Sequence, residues 1–197
     1  WVKEFRDAIY NCDDNPFQRK QVTFKTYARA DHLIDKKVID ILRDLNFRIV
    51  FIGYEAGDDR ILNNIGKKCN IKNYLEATAN VLGAGMQIDA SFIVGLPGES
   101  LASLKNHVRF VKRLVKMGLR KIRVNRLLVL PGTPLYRKVV ETYKEYQGQD
   151  IYDMQEFQNK LFSTDYYDLK PFGGKVEKFK QALEETAQQM TDLVIQA

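Results

Sequence analysis

Gln87-Ile-Asp-Ala-Ser-Phe-Ile-Val-Gly-Leu-Pro-Gly-Glu-Ser-Leu-Ala102 reads as a buried strand, a tight Pro-Gly turn and a helix start in immediate succession. Pro97 presets φ for the first corner of a type II turn, Gly98 supplies the positive φ of the second, and Ser100 is a good N-cap. Free backbone N–H groups at such a turn suit a polar or anionic ligand, although an ordinary connection between strand and helix uses the same residues. The unit recurs. Leu130-Pro-Gly-Thr-Pro-Leu-Tyr136 offers Pro131-Gly132 as a turn, Thr133 as N-cap and Pro134 at the first helical position.

Outward from these two units, apolar β-rich segments return every few tens of residues. They run from Val22 to Ala28, Arg48 to Tyr54, Gln87 to Val94 and Lys121 to Leu130. Helical stripes lie between them: Val38, Ile41, Leu42 and Leu45; then Tyr74, Leu75, Thr78, Val81 and Leu82; then Leu104, Val108, Val111 and Val115. Gly83 with Gly85, and Gly118, stand where the second and third of these helices should stop. Strands alternating with helices predict an α/β fold with about four parallel strands. Beyond about Val140 the composition changes to an aromatic stretch that includes Tyr143, Tyr146, Tyr152, Phe157, Phe162, Tyr166 and Tyr167. A last amphipathic helix carries Val176, Phe179, Leu183, Met190 and Val194 on one face. The division expected is a barrel-like part over 1–139 and a mostly helical extension over 140–197.

Successive strand residues point to opposite faces, so each strand splits into two sets. One set is mostly apolar and suits a covering of helices. The other gathers Lys25, Arg29, Glu55, Asp89, Ser91, Arg123 and Asn125. A packed barrel interior selects branched apolar side chains, so this set points to a wide, ligand-filled interior; the alternative is an open sheet with one face in solvent.

Composition is that of a soluble globular protein, with 45% hydrophobic and 28% charged residues. The formal charge is +6, but Lys and Arg are scattered, which reads as a solvated surface and not as a nucleic-acid footprint. No apolar run is long enough to span a bilayer and no secretory signal pattern is present. The two cysteines, Cys12 and Cys69, exclude a disulfide scaffold and favour a reduced, cytoplasmic setting. His32 and His107 read as ordinary helix or loop residues, and neither a Ser-His-Asp nor a His-Glu-x-x-His arrangement supports hydrolysis of those kinds.

Four stretches taken together, in order and spacing, resemble the second half of a radical S-adenosylmethionine (SAM) enzyme core. They are Tyr27-Ala-Arg-Ala-Asp31; Ile52-Gly-Tyr-Glu-Ala-Gly57 followed by Ile61-Leu-Asn-Asn-Ile-Gly-Lys67; Phe92-Ile-Val-Gly-Leu-Pro-Gly-Glu99; and Pro131-Gly-Thr-Pro-Leu-Tyr136. The likeness covers roughly Val22 to Val139 and is strongest to the subgroup that often carries a cobalamin-binding domain. It implies a partial (β/α)6 TIM-like barrel, SAM and a [4Fe-4S] cluster as cofactors, cobalamin as a further cofactor of the intact protein, and a flavodoxin or ferredoxin as electron donor. It also implies roles. Arg29, Glu55, Lys67 and Ser91 fall at SAM-contacting positions, with Glu55 toward the ribose and Lys67 toward the carboxylate, a charge-assisted pairing. Gly95, Leu96, Pro97 and Gly98 would pass close to the nucleoside, and the backbone at Leu130 would line the adenine. Lys25, Asp89, Arg123 and Asn125 remain as candidates for substrate contact.

The chain departs from that family in one decisive respect. The family's Cys-x-x-x-Cys-x-x-Cys is absent, Cys12 and Cys69 cannot replace it, and no metal ligands are expected in this chain. Ala56 also stands where a Ser is usual after the Glu. With Trp1 already in a helix-like segment and no strand before it, the chain reads as the C-terminal portion of a radical SAM enzyme, inactive alone, whose cluster ligands lie upstream. Other readings are a phosphate-binding (β/α)-barrel enzyme using the two turns, and a non-catalytic RNA- or protein-binding module. A half barrel would leave a strand edge open to self-association.

Overall fold

The computed structural model describes residues 1–12, 22–146, 160–164 and 167–197. Four parallel strands form one sheet in the order β1 (Phe24–Ala28), β2 (Phe47–Glu55), β3 (Gln87–Val94) and β4 (Ile122–Arg126). Each crossover carries helices: α2 (Lys36–Asp44) between β1 and β2, α3 (Asp59–Asn64) and α4 (Ile71–Gly83) between β2 and β3, and α5 (Leu101–Met117) between β3 and β4. A first helix α1 (Val2–Tyr10) precedes β1; α6 (Pro134–Thr142) and a long α7 (Val176–Ile195) follow β4. The four-stranded parallel α/β sheet expected from the sequence is therefore the one observed.

Local chemistry explains the boundaries. Asp35, Asp58, Asn70, Ser100 and Thr133 accept backbone N–H groups at the starts of α2 to α6, satisfying donors that a helix start leaves free. Gly118 ends α5 in the left-handed conformation. The turn from Leu96 to Glu99 closes with Glu99 N–H on Leu96 O at 3.1 Å, and Gly98 has φ +81. The turn from Leu130 to Thr133 repeats it, with a 3.2 Å bond and Gly132 at φ +81. The fourth strand is shorter than Lys121 to Leu130. After Leu127 N–H bonds Val94 O the chain leaves the ladder, because it must turn at Pro131-Gly132.

On the outer face, Val50, Ile52, Ile88, Ala90 and Phe92 are buried under Leu42, Tyr74, Val81, Phe110 and Val111. Tyr54 lies in the centre, stacked on Phe92 with its ring edge-on to Tyr74 and Phe110, and its hydroxyl shares a 2.6 Å hydrogen bond with Thr78. A second cluster seats the C-terminal segment against the end of β3: Val94, Leu104, Val129 and Val139 pack with Leu161, Phe162, Tyr167, Phe172, Phe179 and Leu183. Helix α7 thus lies along α5 and β4. Of the aromatic residues noted beyond Val140, Tyr152, Phe157 and Tyr166 lie outside the described residues.

Candidate functional site

The carboxyl ends of parallel strands are where ligands bind in α/β sheets, and β2 ends there on strained backbone. Glu55 has φ +62, a left-handed conformation unusual for a side-chain-bearing residue, and Ala56 N–H bonds back to Tyr54 O at 2.7 Å. This γ-turn shifts the register between Gly53 and Glu55 and folds the Glu55 carboxylate back over Gly53. A Cβ at Gly53 would stand 2.5 Å from Glu55 Oε1, so any side chain there would push the carboxylate out of this position. Lys67, from the loop after α3, donates to that same Oε1 at 3.0 Å, and both side chains keep about a fifth of their surface exposed, 22% and 23%. Strain of this kind collects at functional sites.

The loops beside this pair are locked together. Glu99 is buried; one oxygen accepts Gly95 N–H at 2.8 Å and the other lies 3.1 Å from His107 Nε2. Gly57 N–H points to His107 Nδ1 at 3.4 Å, which assigns the proton to Nε2 and the donation to Glu99. Asn106 donates to Asp58 at 2.7 Å, Arg60 to Gly98 O and Ser100 Oγ, and Asn64 to Pro97 O. Across the loop, Tyr167 donates its hydroxyl to Gly95 O at 2.6 Å, and Leu96 is buried. The turn is therefore not the bank of free N–H groups that its sequence suggests. Gly95 N–H already holds an anion supplied by the protein, and a Cβ on Gly98 would stand 2.5 Å from Asn64 Nδ2. A phosphate site here would meet a buried carboxylate. Glu99 and His107 escaped the sequence reading because eight positions in sequence, spanning a cap and two turns of helix, hide their contact.

The inner face divides into two halves. In the upper half Asn125 donates to Ser91 at 3.2 Å, and Ser91 stands in register with Gly53. In the lower half, near the strand starts, Asp89 is fully buried and its Oδ2 receives Lys25, Lys121 at 3.2 Å and Arg123 at 3.4 Å. Burial raises the Asp89 carboxyl pKa, and the hydrogen bonds from Lys25 and Lys121 outweigh that and hold it below the ordinary value. Asp89 Oδ1 is buried and has no hydrogen-bond partner among the described residues. Lys121 was not among the residues singled out from sequence, though it shares the parity of Arg123 and Asn125 and could have been found by it. Lys25, Asp89 and Arg123 are brought together; Asn125 sits apart from them on Ser91.

Arg29, past the end of β1, makes a two-pronged contact with Asp31 at 3.0 and 2.9 Å. That hydrogen bonding lowers the Asp31 pKa and raises that of Arg29. Cys69 is buried nearby, and burial pushes its thiol pKa up, so it is a neutral thiol. The Leu130 carbonyl accepts Thr133 N–H and its hydroxyl, while the Leu130 side chain is half exposed. Among the described residues no group of His, Cys, Asp or Glu is arranged to hold a metal ion, and no helix is long and apolar enough to cross a membrane.

Residues 17–111 match the sequence model of the Radical SAM superfamily. An uncharacterized protein of Methanopyrus kandleri is 34% identical over 102 residues, covering 51% of this chain and 20% of that protein. The tRNA-2-methylthio-N(6)-dimethylallyladenosine synthase of Enterobacter sp. (strain 638) is 27% identical over 126 residues, 60% of this chain and 25% of that enzyme. Among solved structures, the cobalamin-dependent SAM radical enzyme OxsB with aqua-cobalamin and SAM bound superposes with a TM-score of 0.62 at 15% identity, covering 98% of this chain and 36% of that one. At that identity the likeness shows the fold alone. The chain spans about a fifth of the length of the curated relatives it matches first, 20% and 21%.

Proposed function

We propose that this chain, a radical SAM superfamily member through residues 17–111, is the C-terminal part of an enzyme that cleaves SAM reductively to begin radical chemistry on a small-molecule substrate. The observation that carries the reading is the Glu55–Lys67 pair, held on strained backbone over Gly53 at the carboxyl end of β2. Those residues fit SAM. Glu55 offers carboxylate oxygens to a pair of ribose hydroxyls, and Lys67 offers a cation to the SAM carboxylate. Ser91 and Asn125 supply further hydroxyl and amide groups beside them, and Arg29 adds a cation at the end of β1. Binding would exchange the Glu55–Lys67 contact for contacts of each with the ligand, so neither is left unpaired. The locked loop from Gly95 to Gly98 supports the nucleoside as a rigid wall, with the Leu130 backbone beside it.

The cluster does not fit this chain. With Cys12 exposed and Cys69 buried far from it in sequence, no three-thiolate set exists, and its ligands belong to the rest of the protein. SAM and cluster together supply one-electron bond cleavage, which no side chain here performs; the chain binds and orients. An electron donor such as flavodoxin or ferredoxin, and cobalamin in the intact protein, complete the proposal. The test is anaerobic reductive SAM cleavage by the full-length protein that contains this chain. The reading predicts 5′-deoxyadenosine, reduced at least tenfold in Glu55→Gln; a full-length protein that holds a cluster yet yields none would overturn it.

A further inference from the structure

We propose that the lower half of the inner face binds a planar aromatic molecule carrying an anionic group, with its ring on Tyr27 and Phe51 and its anion on Lys25, Lys121 and Arg123. This names a substrate class for the inner face and rests on the reading of that face as ligand-binding in a SAM-cleaving enzyme.

Charge balance gives the first argument. Asp89 is a single carboxylate, and three cations converge on one of its oxygens. One cation would neutralise it, so the cluster keeps an excess of two positive charges. Each lysine has three N–H donors and an arginine five. The hydrogen bonds among the described residues use one donor of each on Asp89, leaving the others for a ligand. The cations are also within reach of solvent, at 32% exposure for Lys25, 59% for Lys121 and 52% for Arg123, while Asp89 is at 0%. The buried acid acts as an anchor that gathers three cationic heads, and the accessible surface it creates is cationic.

The rings give the second. Tyr27 and Phe51 lie in register with Asp89 across three adjacent strands, and their ring centroids are 4.7 Å apart. Tyr27, on the edge strand β1, is 71% exposed, so its ring face is open to a ligand. Lys25 Nζ stands 5.7 Å from the centroids of both rings, and Arg123 stands 5.9 Å from that of Phe51. Ring surface and excess charge therefore lie within the span of one small aromatic molecule with its anion attached directly or through an atom or two. Packing does not account for the surplus cations, and the edge position of β1 leaves the ring of Tyr27 open beside them; a flat anionic ligand uses both, through stacking and charge-assisted hydrogen bonds.

The experiment is an NMR titration of the 15N-labelled chain, with 13C-labelled Tyr and Phe rings, using phenyl phosphate as probe and inorganic phosphate and phenol as controls. The expected result is saturable shifts at Tyr27, Phe51 and the amides of Lys121 to Arg123, with phenyl phosphate binding about tenfold or more tighter than either control. Arg123→Gln should weaken phenyl phosphate about tenfold and leave phenol unchanged, whereas Tyr27→Ala should reduce phenyl phosphate to the level of inorganic phosphate. Both replacements are at exposed side chains, and unchanged amide spectra elsewhere verify the fold. Absence of saturable shifts, shifts confined to other surfaces, or inorganic phosphate binding as tightly as phenyl phosphate would each overturn the proposal. Neither SAM nor a cluster is present in this titration, so its failure is separate from failure of the SAM reading.

Discussion

The two ends of the inner face use the same ingredients, carboxylates and cations, in opposite ways. At the carboxyl ends of the strands, Glu55 and Lys67 form a one-to-one, partly exposed pair on strained backbone, walled by loops in which Gly57, Gly95, Glu99 and His107 are all engaged. Toward the strand starts, a buried Asp89 on unstrained strand backbone draws in three half-exposed cations. The upper end is neutral and rigid, so its groups can exchange partners with a ligand that brings both hydroxyls and charge. The lower end is cationic and open, so it selects by charge. Strain marks one end and charge imbalance the other.

The comparison is broken most severely through the loop lock. His107→Leu leaves Glu99 buried with only a backbone N–H for company, and should cost about 2–3 kcal/mol in urea denaturation, since removing one partner leaves the other unsatisfied. A cost under about 1 kcal/mol would show that the loops do not depend on it. Asp89→Ala should cost less, about 1–2 kcal/mol by the same assay, because the three cations it releases can turn to water.

Acid sharpens the contrast. The Asp89 carboxyl is depressed in the folded chain, so its stabilisation is fully present above the ordinary carboxylate pKa of about 3.9 and is lost as pH falls from there through the lower folded value. Wild type should therefore exceed Asp89→Asn in stability at pH 7, and the gap should shrink as pH falls below about 4; a gap that widens on acidification contradicts the assignment. The smallest effect belongs to Asp31→Asn, which removes a solvent-exposed pair with Arg29 and should change the unfolding free energy by no more than about 0.5 kcal/mol.

These differences also explain what could be read from the residues. The bounds of β3, the turn at Pro97-Gly98 and the helix stop at Gly118 follow from local chemistry, and each is where that chemistry puts it. Strand parity separated the polar from the apolar face, so the company of Lys25, Asp89 and Arg123 was in part legible. What parity cannot supply is rank: that Asp89 is the buried member and its partners the accessible ones depends on which side chains stand beside it on three strands. The fourth strand is shorter than its apolar run, since after Leu127 N–H bonds Val94 O the apolar residues Leu128 to Leu130 leave the ladder for the turn at Pro131-Gly132. Glu55 and Lys67 could be matched only through family resemblance, because their meeting requires the γ-turn at Glu55 and the loop after α3. The Glu99–His107 contact had no sequence signal at all.

We propose that the strained Glu55 end, and not the cationic Asp89 end, holds SAM. The most direct test is equilibrium binding of SAM, under anaerobic conditions, to the cluster-loaded full-length protein carrying Gly53→Ala or Arg123→Gln. A methyl group at Gly53 displaces the Glu55 carboxylate without touching the core, so Gly53→Ala should weaken SAM binding about tenfold or more while Arg123→Gln changes it by less than about twofold. Equal affinities for wild type and Gly53→Ala, or a loss confined to Arg123→Gln, would contradict the account.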